Sequence, residues 1–405
     1  MGASFRWYVG AQVVSLAGTT MGYTALFWLG LHVPDGGAIA LAAIDAVMMA
    51  PMLVFSRRAG TFVSRHQPRR ILIGTQALQA VAVAAIALIM VATRMTLGCL
   101  LPICFLIGCV QTVDVTARQM FMLDLVGDDN LRRGTSRYAA ATGLAKIAGP
   151  GLAGLIIAAA GETAVFFIDA ISFLTVIAVL VRLADSPGHA STQTPGARRF
   201  GWLLDLPRGV RAAIVLALLV GGFGWQFAVT NPLMAKYVLH LGSAGFGLMG
   251  TCTAVGAVAG SVYSSQQRNP SRSEFTVWSL LFGLAECGAA VMPTAWAYDL
   301  LLFLLGGTMQ LFSVSATVYV QRTTPQAQRA HALSAYNAAY MGFVPAGAFL
   351  AATLAATAGT RWALIGPGLV IAVCAGSLLA AGAGAGRGVR TGSALRSAGT
   401  TGRSG

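Results

Sequence analysis

The chain is a succession of long apolar runs separated by short polar breaks. The runs fall roughly at 9–31, 38–56, 71–92, 97–118, 138–160, 163–182, 211–231, 243–264, 275–293, 296–319, 332–357 and 362–383. A bilayer core about 30 Å thick is crossed by roughly 20 helical residues, so each run predicts one membrane-spanning helix. The breaks at 92–97, 160–163, 293–296 and 357–362 leave room only for tight hairpins, which makes neighbouring helices antiparallel. The stretch from Leu183 to Arg211 is longer, contains Pro, Gly and Ser, and divides the runs six and six. The expected organisation is an N-terminal six-helix bundle over 1–182, a linker over 183–210, a C-terminal six-helix bundle over 211–383, and a disordered Gly/Ser/Arg-rich tail over 384–405. The fold class is therefore an all-α membrane protein of twelve transmembrane helices in two bundles.

Composition supports the same solvent. Of 405 residues, 56% are apolar and 10% charged, and the mean hydropathy is +0.71. A soluble core does not absorb that much apolar surface, so lipid does. The net charge of +14 does not signal nucleic acid, because no soluble module carries a basic face. The arginines gather on one side of the predicted spans, at 57, 58, 65, 69 and 70, at 132, 133 and 137, through the central linker, and at 268, 272, 322 and 329. Arg94, Lys236 and Arg361 fall on the other side, and Lys146 falls inside a span. The positive-inside rule makes the arginine-rich side cytoplasmic, with both termini there, in a bacterial inner membrane.

The six cysteines all lie in apolar runs, and Cys99, Cys104 and Cys109 are spaced to face different sides of one helix. No metal or disulfide pattern results. Nucleotide-binding loops, zinc-type groupings and nucleophile elbows are lacking in the sequence, which predicts neither an enzyme nor an ATP-driven pump, and no cofactor.

Ionisable groups inside membrane helices are costly and point to function. Asp45, Asp114, Arg118, Lys146, Asp169 and Glu286 are the candidates for a polar pathway. Asp114 and Arg118 are one helical turn apart and can pair, with Lys146 expected within reach, either as a proton relay or as a structural salt bridge. Asp45 and Asp169 show no partner and suit reversible protonation. Gly149-Pro150 with Gly154, and Pro345 with Gly347, read as bends or close-packing points for alternating access. Gly60, Ser64, Arg65, Arg69 and Arg70 read as a tight basic turn at the membrane surface. Trp28, Phe223, Trp225, Phe227, Met309 and Phe312 supply material for an adaptable apolar pocket, or else pack helices.

Four stretches resemble the major facilitator superfamily, and within it the drug:proton antiporter branch that includes macrolide efflux pumps and enterobactin-type siderophore exporters. They are Gly60-Thr61-Phe62-Val63-Ser64-Arg65 with Arg69-Arg70; Asp114-Val115-Thr116-Ala117-Arg118-Gln119 leading to Leu123-Asp124-Leu125-Val126; Lys146-Ile147-Ala148-Gly149-Pro150 with Gly154; and Phe167 through Leu174. Asn231-Pro232-Leu233 and the run from Gln321 to Pro345 match as well. The resemblance implies the major facilitator fold and a monomeric secondary carrier that exports a small amphipathic substrate against protons across the bilayer. The chain departs from the pattern where the loop acid is Ser64 and the span-one acid is Thr19. These departures leave room for a dedicated siderophore or metabolite exporter, or an uncoupled facilitator. A non-transporting scaffold or sensor on the same fold is a further alternative.

Overall fold

In hydrocarbon, every backbone N–H and C=O needs a partner within its own segment, so apolar runs of this length become helices. A computed structural model describes residues 3–34, 36–126, 131–183, 206–266 and 270–399. Thirteen α-helices follow in order among them: α1 Ala3–Leu29, α2 Ala38–Arg65, α3 Pro68–Ala92, α4 Leu97–Val126, α5 Leu131–Arg182, α6 Arg208–Gly224, α7 Phe227–Leu233, α8 Ser243–Gln266, α9 Arg272–Val291, α10 Ala295–Thr323, α11 Gln326–Gly342, α12 Val344–Thr357 and α13 Trp362–Gly399. A short π-helical turn, Met234–Val238, extends α7. No strand occurs among the described residues.

Among the described residues, ten segments are long and apolar enough to cross a bilayer. One of these, Arg137–Arg182, is two crossings, because Gly161 leaves helical geometry at φ 79°. That backbone region suits glycine, and it turns α5 back on itself. Both arms consequently lie against the same stretch of α1. Thr20 meets the Ala145 carbonyl of the first arm at 3.5 Å, while Gly18 and Gly22 abut Ser172 and Asp169 of the second. With α1 as a further crossing of 27 residues, the helices make twelve passes in two groups, α1–α5 and α6–α13.

Four features differ from the apolar runs. The α2 helix continues through Ser56 to Arg65, so the Gly60–Arg65 motif is helical and the turn is confined to His66-Gln67 before Pro68. No proline interrupts that stretch, and a polar helix end is stable once it leaves the lipid. The seventh pass is broken between Gly224 and Phe227, and the eleventh between Gly342 and Val344. The α13 helix runs to Gly399, beyond the Gly384 point where order was expected to end. The expected linker falls mostly on 184–205, outside the described residues.

Each group packs internally: α1 and α3 on α5, α2 and α3 on α4, then α8 and α9 on α10, α6 on α11, and α9 on α13. The groups meet through α5 on α8, α2 on α12, and α7 against α1 and α2. These contacts concentrate toward the short-loop side. Gly154 admits the α8 backbone so closely that a Cβ there would stand 2.5 Å from the Ser243 carbonyl oxygen and 3.0 Å from Gly247 Cα. Small residues of this kind let membrane helices approach.

Candidate functional site

The seal between the groups can be built residue by residue. Ser243 Oγ donates to the Gly154 carbonyl at 3.1 Å, and Thr251 Oγ1 to the Ile147 carbonyl at 3.1 Å. Trp28 stacks on Phe246 with ring centroids 5.5 Å apart. Lys236 Nζ donates to the Leu31 carbonyl at 3.1 Å, fastening the start of the α7–α8 connection to the end of α1. All of these lie on the side opposite the arginines.

Residues 139, 146, 153 and 157 share one face of the first α5 arm, being spaced by seven, seven and four. Ala153 and Ile157, toward the seal, are buried at 0% and 8% exposure, while Ala139 and Lys146 are exposed. A single helix face that is covered at one end and open at the other marks a cleft between the groups that opens on the arginine-rich side.

Asp114 is fully buried and saturated. Arg118 pairs with it across one turn of α4, and Thr75 Oγ1 and Gln76 Nε2 of α3 each donate to Asp114 Oδ1 at 2.8 Å. The i,i+4 pairing expected from sequence is present, and two donors from α3 complete it. Lys146 takes no part: it has no hydrogen bond or ion pair among the described residues. It stands two turns of α5 further along than Tyr138, the residue nearest the pair on that helix.

Asp169 has the opposite surroundings. Its carboxylate lies against Gly18 and Gly22 of α1, where a Cβ at Gly18 would come within 2.9 Å of Oδ1. Ser172 Oγ is 3.4 Å from Oδ1 but 2.7 Å from the Asp169 carbonyl. A hydroxyl has one proton to give, and the shorter bond takes it. The carboxylate borders a small chamber lined also by Thr19, Tyr23, Gln79 and Gln111, with about 20 Å³ of room for the centre of a water-sized occupant. That admits a single water and excludes an organic cargo.

Asp45 is buried on α2 with Oδ2 unpartnered, and so is Glu286 Oε2 on α9. Glu286 is bonded to Gln226, which sits in the break between α6 and α7. Near it, Tyr298 donates to Asn231 Oδ1 at 2.9 Å. The sequence pointed to the acids but not to their amide partners, since Gln226 and Gln76 look unremarkable in an apolar run.

Among the candidate pocket residues, Trp28 joins the seal, Phe227 packs edge-on to Phe282, and Phe312 is fully buried beside Tyr340. Phe223 meets Phe343 edge-on, and Met309 abuts Gly224. Trp225 alone of the six is exposed, at 43%. The breaks of the seventh and eleventh passes are neighbours, with Gly221 on the Tyr340 backbone and Gly347 on that of Gly222. Pro345 starts α12, where its missing N–H costs nothing. The α5 helix, by contrast, passes through Pro150 without a break. Gly149 is filled by Thr20, and Pro150 packs on Gly247 and Gly250.

The basic motif divides in role. Arg69 donates through Nε to the Leu180 carbonyl at 2.7 Å and through Nη2 to the Val181 carbonyl at 3.0 Å, capping the end of α5. Ser64 Oγ bonds locally to the Thr61 carbonyl at 3.0 Å, and Arg65 and Arg70 are exposed. Gly60 has open space around it.

Two six-helix groups facing each other across a cleft closed at one end, each group holding buried acids in its interior, define a membrane transporter of the major facilitator type. The family described as transmembrane secretion effector matches residues 2–383, and the chain belongs to it. A curated relative, the staphyloferrin A transporter of Staphylococcus aureus (strain NCTC 8325 / PS 47), is 21% identical over 354 residues, covering 85% of this chain and 88% of its own. Among solved structures, the nucleoside transporter NupG superposes with a TM-score of 0.73 at 11% identity, over 94% of this chain and 99% of its own. A bacterial homolog of the human lysosomal transporter Spinster, inward-facing and occupied, gives 0.70 at 11% identity, over 93% and 96%. The structural likenesses establish the fold alone.

Proposed function

We propose that the protein is a proton-coupled exporter of small amphipathic molecules, working by alternating access in a bacterial inner membrane with the arginine-rich side and both termini in the cytoplasm. The observation that carries the coupling is the Asp169 chamber. An acid with no countercharge, beside room for one water, is equipped to exchange a proton and little else. Its position also connects it to the seal. The carboxylate touches α1 at Gly18 and Gly22, and Trp28 is six residues, about 9 Å, further along the same helix. Proton occupancy that alters the packing of α1 on α5 therefore acts on the Trp28–Phe246 and Leu31–Lys236 contacts. A ligand shifts a conformational equilibrium only by its differential affinity for the two states, and a proton on Asp169 has that leverage here.

The open cleft on the arginine-rich side is the loading state of an exporter, and the secretion described for the family fits that direction. A narrower reading, an exporter dedicated to a siderophore, is favoured by the staphyloferrin A transporter relative. The test compares expressing and empty cells for efflux across a panel that includes iron chelators. Purified protein is then reconstituted with a trapped pH-sensitive dye. The expected result is proton movement on addition of a transported compound, abolished in Asp169→Asn. Transport without proton movement in the unaltered protein would overturn the coupling.

A further inference from the structure

We propose that Lys146 is the anion-recognition point of the cleft and that the cargo is an amphipathic molecule bearing a carboxylate or similar negative group. This rests on the reading of the chain as an exporter that loads from the arginine-rich side, and it narrows the substrate class.

The helix geometry decides where Lys146 points. Leu144, Leu152 and Leu155, exposed at 67%, 46% and 61%, define the lipid face of the first α5 arm. At 100° per residue Lys146 lies between about 120° and 180° from them. The α1-facing residues are Ala145 and Gly149, and the α8-facing residues are Ile147, Gly151 and Gly154. Lys146 falls in the arc between these two faces, where the two halves look at each other. It is the last exposed position on that face before Ala153 closes it, so it stands at the blind end of the open cleft.

A lysine within a membrane span is expensive to keep without a partner. Asp114 is saturated by Arg118, Thr75 and Gln76, Asp169 is enclosed behind α1, and Glu286 is held by Gln226 inside the other half. Among the described residues the lysine therefore has no acid to answer it, and a cargo anion supplies the missing charge.

The facing wall supplies the apolar component. The α6 helix is covered by α9, α10, α11, α12 and α13 of its own half. Its exposed apolar positions, Val215 and Leu218, with Trp225 just beyond, form one stripe that its own half leaves uncovered. An aromatic ring and two branched side chains opposite a solitary ammonium select a molecule with both an apolar body and a negative end.

The test uses the full chain in phosphatidylcholine nanodiscs and two probes of matched shape, naphthylacetate and naphthylmethylammonium, read by thermal shift. The anion is expected to stabilise the protein and the cation not. Lys146→Gln should weaken anion binding about tenfold or more, Lys146→Arg should retain it, and Lys146→Glu should transfer the response to the cation. Phosphatidylglycerol discs add a further arm: suppression of the anion response there assigns a lipid anion as the occupant, and persistence assigns a soluble one, both keeping the anion site. Equal response to the two probes, no response to either, or an unchanged response in Lys146→Gln overturns the proposal. Proton coupling is read separately with Asp169→Asn, so loss of coupling in the vesicle assay leaves this result standing, and the reverse also holds.

Discussion

Asp114 and Asp169 are both buried carboxylates of the N-terminal half, about equally cut off from water, yet they are built for different ends. Asp114 accepts from Thr75 and Gln76 and is paired with Arg118. Asp169 receives one long contact from a serine whose proton goes elsewhere, and it faces a chamber. A carboxylate held by three donors is locked in one state and ties α3 to α4. A carboxylate without countercharge is free to change state. Burial alone therefore does not separate these two carboxylates; the satisfaction of their lone pairs does.

The sharpest way to break this comparison is Asp169→Asn, for which complete loss of proton-driven transport is expected with the melting temperature nearly unchanged. Reconstituted vesicles and a thermal melt of the same preparation measure both; intact coupling would remove the distinction. Arg118→Ala should act in the opposite sense. Leaving Asp114 charged and unpaired costs about 3–5 kcal/mol, to be seen as low expression and a depressed melting temperature, while any protein that folds should still couple. Thr75→Val, which removes one of the donors, should cost about 1.5–3 kcal/mol and again spare coupling.

Gly154→Leu reaches the seal that Asp169 is proposed to govern. Crowding the α8 backbone should disfavour the closed arrangement by about 1–3 kcal/mol. In a protein lacking its native cysteines, a cysteine at Phe246 should then be labelled faster by an impermeant maleimide from the short-loop side. The smallest effect is expected at Pro150→Ala, because α5 is unbroken there in this state; a change of transport rate without a change of stability would show that the bend operates only in the other state.

Much of this molecule is legible along the chain. The lipid solvent is written in the apolar runs, and their even spacing and the short hairpins lead to paired bundles. The Asp114–Arg118 pair follows from a four-residue spacing. Other features escaped for identifiable reasons. The breaks at Trp225-Gln226 and Phe343 occur inside runs that are apolar throughout, so hydropathy does not register them. Pro150 lies inside a continuous helix, while Pro345 falls in the first turn of one; a proline means different things according to whether its missing N–H had a partner to lose. Thr19 and Ser64 read as missing acids, but the carboxylate absent from the first pass is brought back to the same place by Asp169 of the sixth.

What the sequence determined by itself is the solvent, the number of crossings and the supply of buried charges, because each depends on composition and spacing within one helix. Which acid is satisfied, which lysine faces a cleft and which end of that cleft is shut were decided only by tertiary structure. These depend on the rotation of each helix about its axis and on contacts between residues 39 to 205 positions apart, and no local pattern encodes such contacts.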